Sequence, residues 1–185
     1  MKTIKLNTNF VIKSFFEALC IEFLITKDPV CLESIENFDS VKCEKFINYL
    51  IDNSKDIEAL KVIYKYLERN EELFILLMEE KEDNDDELIE NIDLFKEKHH
   101  DELKRYFISS FYEIIEENKS REIYKYATKY IEGLLKLDDG DEIVNNLIKD
   151  LKNNNQYNKR KALFDEINKV INKITNLDRK LVKLI

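Results

Sequence analysis

Residues 159–185 read KRKALFDEINKVINKITNLDRKLVKLI, and within them Leu163, Ile167, Val170, Ile174, Leu177, Leu181 and Leu184 recur with alternating spacings of four and three. That is the period of a single helix with one apolar seam, Ile167, Ile174 and Leu181 at heptad position a and Leu163, Val170, Leu177 and Leu184 at d. An amphipathic helix draws most of its stability from burying that face, so the rest of the chain is expected to supply packing partners. Phe164, Ile171 and Ile185 at position e widen the apolar face to that of an ordinary bundle helix. The seam therefore has two readings: it packs on the chain's own body, or it binds a partner. Ile at a, Leu at d, and Lys173 at g facing Asp178 at e of a second copy favour a coiled-coil homodimer within the second reading.

Working outward, the 185-residue chain holds two glycines, Gly133 and Gly140, and one proline, Pro29. A many-stranded sheet needs far more turn chemistry than that, so the fold class is all-α. The length suffices for one well-buried core without disulfide or metal. The expected architecture is a single multi-helix bundle of about eight helices: residues 1–8 an extended arm, 9–152 the helical body, and 159–185 the long amphipathic C-terminal helix. Phe10 to Ile25 is apolar on nearly every side and Asp101 to Glu117 is a second strongly apolar helix, and both are expected at the centre of the core. The alternative for the first is that its mixed face forms an oligomer or ligand groove. Asp28 before Pro29 signals a helix start, with the carboxylate as cap and the proline at the first helical position.

The net charge of -8 disfavours general affinity for nucleic acid or anionic lipid unless charge is segregated, and here it is. From residue 151 onward nine basic residues face three acidic ones, leaving +6 there and -14 over the first 150 residues. Lys159, Arg160, Lys161, Lys169, Lys173, Arg179, Lys180 and Lys183 form a candidate polyanion-binding set. The acidic counterpart is Glu79, Glu80, Glu82, Asp83, Asp85, Asp86, Glu87, Glu90 and Asp93, opposed by Lys81 alone, and residues 79–86 are expected to be an exposed loop. A calcium-loop register from Asp86 to Glu97 puts Leu88 at a ligand position and Asn91 where the tight turn wants glycine.

Cys20, Cys31 and Cys43 are odd in number and form no CxxC pair, so they read as reduced thiols of a cytoplasmic protein. No apolar run reaches the length of a membrane span. His99 and His100 are adjacent and diverge by about 100° on a helix. A zinc site from the three cysteines and His99 matches no common spacing. Of the paired Glu-x-x-His motifs of di-iron bundles, only Glu97 with His100 is present. P-loop, dinucleotide, GxSxG and HExxH signatures are missing, so no catalytic, cofactor-binding or metal-ligating residue is assigned and the chain is read as a non-enzyme without cofactor.

The function expected is a protein–protein interaction module: an adaptor, regulator or assembly subunit, of a size and base bias that suit a virus or mobile element. One alternative is a small nucleic-acid-associated subunit using the basic C-terminal helix. Another is an acidic mimic that inhibits a nucleic-acid-binding protein.

Overall fold

The computed structural model describes residues 8–53, 55–79, 81–117 and 119–182, with the side chains of 8–14, 81–83 and 176–182 outside the description. Every regular element among them is helical, so the fold is all-α. There are ten α-helices rather than about eight: α1 Thr8–Thr26, α2 Pro29–Phe38, α3 Ser40–Asn53, α4 Ile57–Tyr66, α5 Asn70–Glu79, α6 Lys81–Glu90, α7 Lys96–Glu117, α8 Arg121–Leu135, α9 Gly140–Asn153 and α10 Lys161–Val182, with a 3-10 turn at Ile92–Leu94. They divide into two compact units, Met1–Glu79 and Glu80–Ile185, where chain length alone pointed to one domain. Of the expected arm, residues 1–7 lie outside the described residues and Thr8 already opens α1.

Unit 1 holds α1 to α5. Asp28 caps α2, its carboxylate accepting from the Val30 N–H with Pro29 next in the helix. Asp56 caps α4 through the Ala59 N–H and also pairs with Lys27, tying the α1–α2 turn to the start of α4. Lys27 itself has a left-handed backbone, φ 57°, as the residue that ends α1. The core is Phe23, Leu32, Ile35, Ala59 and Ile63, all fully buried, with the three cysteines among them.

The expectation of α1 as a central helix is corrected. Its inner face, Phe16, Leu19, Cys20 and Phe23, packs into the core, while Phe15, Ile21, Leu24 and Ile25 are exposed. An all-round apolar sequence says how much surface a helix wants covered, not how many neighbours the fold gives it.

Unit 2 is organised on α8, which meets α6, α7, α9 and α10. Its buried residues Tyr124, Ala127, Tyr130, Ile131, Gly133 and Leu134 take up about half the circumference. Against it α7 sets the stripe Leu103, Phe107, Phe111 and Ile115, each four residues from the last and each fully buried.

Residues 81–90 form helix α6, not the loop expected over 79–86, and Asp85 is buried rather than on the acidic surface. The local pattern counted it as one more solvated charge, but its partners lie on α7 and α8, far along the chain. In the polar run Asn153 to Asn158 that joins α9 to α10, Tyr157 is buried, its hydroxyl donating to Glu116 Oε1 at 2.5 Å and its ring 5.8 Å from that of Tyr112. The C-terminal helix begins at Lys161, two residues later than the heptad pattern implied.

Candidate functional site

The outer side of α1 is left uncovered by the fold at Ile21, Leu24 and Ile25. Ile21, Leu24 and Ile25 stand at i, i+3 and i+4, one contiguous face over successive turns, with Ile25 76% and Ile21 57% exposed. Phe15 is also exposed, about 120° round the helix from Ile21, with its ring 5.4 Å from that of Phe38 at the end of α2. Single exposed aliphatics are ordinary, whereas a contiguous apolar face rimmed by charge marks a surface that meets another molecule. Glu17 and Glu22, both exposed on the same helix, form that rim.

Beside the α3–α4 corner of the same unit a groove of about 300 Å³ is lined by Glu36, Val41, Cys43, Glu44, Ile47 and Leu67. The Glu36 carboxylate is held there by the Tyr66 hydroxyl.

The cysteines are all buried and unpaired. Burial pushes the Cys20 thiol up to about 11, with Cys43 and Glu17 adding to it, and burial and then Glu36 push up Cys43. Thiols in this state are inert as nucleophiles near neutral pH. No group of three or more His, Cys, Asp or Glu side chains able to hold a metal occurs among the described residues.

In unit 2 the densest polar cluster is built on Asp85, 3% exposed. Its Oδ1 accepts from the Tyr106 hydroxyl, and its Oδ2 accepts from the Tyr130 hydroxyl and lies 2.9 Å from the Lys129 ammonium. Burial, then the bond to Asp85, raises both phenols well above their usual range. Burial would lower Lys129, but Tyr126 and Asp85 outweigh it and its pKa is raised. Every donor here stays protonated at neutral pH and the carboxylate is saturated, so the cluster holds α6, α7 and α8 together and offers no free base. Pattern reading missed it because Tyr106 and Tyr130 count as apolar positions in their own helices.

At the start of α7 the backbone leaves helical geometry at His99, φ -115° and ψ 22°. His100 follows, its Nε2 2.6 Å from Asp139 Oδ1 and its Nδ1 3.3 Å from Asp101 Oδ1. Hydrogen bonds to Asp139 and then Asp101 raise the His100 pKa, and the same contact lowers that of Asp139, with Lys104 assisting. A raised folded pKa gives stability that is full below about pH 6.5 and lost as pH rises through the folded value. The lowered Asp139 sets the other limit, its contribution fading as pH falls below about 4. Denaturant midpoints of the full chain are therefore expected to decline as pH rises above about 6.5, and His100→Gln to flatten that decline. An unchanged slope in the variant would show that the bridge carries no linkage.

The remaining sequence-derived residues fall as follows. Leu163 and Ile167 are fully buried in the core that α10 makes with α8, which corrects the partner-facing reading for those two, and Val170 and Ile174 are half-buried. Leu177 and Leu181 have side chains outside the description and Leu184 lies beyond the described residues, as do the side chains of Arg179 and Lys180 and all of Lys183. Lys159, Lys161 and Lys173 are exposed, and Lys169 is paired at 2.7 Å with Glu166, which Arg121 also engages at 2.7 Å. Arg160 is not free for a polyanion: its Nη1 donates to the Ile115 carbonyl at 2.7 Å, its Nε to that of Gln156 at 3.1 Å, and the guanidinium lies over the Tyr157 ring.

Of the acidic set, Glu79, Asp86, Glu90 and Asp93 are exposed, Glu87 is half-buried, Glu80 lies outside the described residues, and Glu82 and Asp83 are described in backbone only. Asp93 pairs with Lys96 at 2.8 Å and Asp86 lies 3.7 Å from Lys129. Among the described residues no helix is long and apolar enough to cross a membrane. Comparison of the chain with protein-family models, with curated proteins and with solved structures found no match in any of the three.

Proposed function

We propose that the chain is a non-enzymatic protein–protein interaction module, acting as an adaptor, regulator or assembly subunit. The observation that supports this is the uncovered apolar face of α1, Ile21, Leu24 and Ile25. Covering it removes aliphatic and aromatic surface from water, at roughly 25 cal/mol per Å² of apolar area. The polar clusters support the same reading by being used up within the fold, since the groups most suited to acid–base work are saturated by one another. The unpaired thiols suit a reducing compartment, and the cytoplasm is proposed on that ground.

The test compares the wild-type chain with Ile21→Glu/Ile25→Glu, both expressed with an affinity tag in the cells that make the protein. Substitutions at exposed sites leave stability within about 0.5 kcal/mol, so the thermal melt should be unchanged. The wild type is expected to retain a protein in stoichiometric amount and the variant to lose it. If light scattering instead shows a dimer that the variant abolishes, the partner is a second copy. Equal recovery by both chains, with both monomeric, would remove α1 as the interaction surface.

A further inference from the structure

Resting on the reading of the chain as an interaction module, we infer that the groove between α3 and the end of α4 in unit 1 is a docking site for a basic amphipathic segment of a partner protein, one that inserts aliphatic side chains between flanking lysines or arginines. The floor is apolar and firm, since Cys43 and Ile47 are buried in the core. The walls are apolar and open: Val41 is 59% and Leu67 38% exposed. Along α3 the lining runs from Ser40 to Asn48, about 12 Å at the helical rise, which is about two turns of a partner helix. A segment carrying aliphatic residues at i, i+4 and i+7, about 10 Å from first to last, fits that length, and this is the spacing at which amphipathic helices present anchors to grooves.

Charge chooses the sign of the partner. Two carboxylates, Glu36 and Glu44, line the groove, and its lining includes neither lysine nor arginine. Glu36 is fixed in place by the Tyr66 hydroxyl, and Tyr66 remains a donor because burial, and then Glu36 itself, hold its pKa well above the usual phenol value. Glu33 adds a third negative charge acting on Tyr66. Two cations of unit 1 close in sequence to the lining are engaged elsewhere: Lys42 pairs with Asp39 at 2.9 Å, and Arg69 with Glu72. An acidic segment would meet uncompensated like charge here, whereas a basic one forms charge-assisted hydrogen bonds to the two rim carboxylates.

The probe is a fluorescein-labelled amphipathic Leu/Lys peptide of about 14 residues, long enough for helix formation on binding. Its Leu/Glu counterpart serves as control, and anisotropy is followed against the full chain at about 0.15 M salt, where long-range attraction to net charge is screened. Glu36→Gln/Glu44→Gln is expected to weaken binding of the Leu/Lys peptide at least about tenfold, and Val41→Asp to do the same through the apolar wall. Asp52→Asn/Glu79→Gln, which removes two exposed acids of unit 1 outside the groove, is expected to stay within about twofold. Backbone amide shifts of the full chain are expected to move at residues 40–48 and at Leu67.

Thermal melts check each variant, and Glu44→Gln alone, at an exposed position, keeps the test available if Val41→Asp disturbs the fold. Equal binding of the Leu/Glu peptide, equal weakening by the control pair, or shift changes confined to other helices would each overturn the groove. Ile21→Glu/Ile25→Glu separates the two readings, since it is expected to lose the retained cellular protein while binding the Leu/Lys peptide like the wild type. Partner retention without groove-dependent peptide binding overturns the groove alone. Groove-dependent peptide binding by a chain that retains no protein upholds the groove and removes α1 as the surface that holds a partner.

Discussion

Replacing Asp85 by alanine is expected to destabilise unit 2 by about 3–5 kcal/mol, the range for breaking a buried charged network from one side. The change leaves the Tyr106 and Tyr130 hydroxyls without their acceptor and the Lys129 ammonium, 18% exposed at its side chain, without its nearest countercharge. For a unit of this size such a loss lowers the thermal midpoint by more than about 10 °C. Asp86→Ala is the internal comparison: one residue along the same helix, with a side chain 84% exposed, it is expected to stay within about 0.5 kcal/mol. Adding Lys129→Met to Asp85→Ala should recover part of the loss, because it removes the uncompensated charge that the first substitution creates. Similar midpoints for Asp85→Ala and Asp86→Ala, measured by circular dichroism melts, would mean that Asp85 does not hold α6 to α7 and α8.

The contrast between Asp85 and Asp86 also shows where sequence stops being legible. Helix class and most helix starts follow from local rules, as at Asp28 before Pro29, where cap and ring sit in consecutive residues. The strongly apolar segment Asp101 to Glu117 is a helix as its composition suggests, but only the fold selects Leu103, Phe107, Phe111 and Ile115 as its buried stripe. Nothing local separates Asp85 from its acidic neighbours. What buries it is a pair of phenols on two other helices, brought to it only by the fold.

The seam of α10 was legible as a seam, but its seat was not: Leu163 and Ile167 found α8 of their own chain, and periodicity does not distinguish self from partner. The error over α1 runs the other way. Its even spread of apolar residues predicted complete burial, and the fold supplies neighbours on one side only, leaving as surface the residues on which the functional proposal stands.

Gly140→Ala is expected to cost about 3 kcal/mol, at the upper end of the overpacking range, although its backbone does not adopt a positive φ. The reason is space. A Cβ at Gly140 would lie 2.3 Å from the Leu134 carbonyl oxygen and 2.8 Å from the Leu135 Cα, and these are backbone atoms in the last turn of α8. They cannot turn away as a side chain does, so α9 must move off α8, straining the short connection in which the Gly140 N–H donates to the Leu137 carbonyl at 3.0 Å. Gly133 is the milder case. A Cβ there would lie 2.9 Å from the buried Phe107 ring, which must shift at an overpacking cost of about 1–2 kcal/mol, against which alanine regains about 1 kcal/mol of helix propensity. Gly133→Ala is therefore expected to change stability by less than about 1 kcal/mol. Urea denaturation with unchanged m-values would test both. Because Asp139 directly precedes Gly140 and holds His100, the Gly140→Ala chain should also lose the decline in stability above pH 6.5. Wild-type stability together with an intact pH slope in Gly140→Ala would show that α9 does not approach α8 this closely.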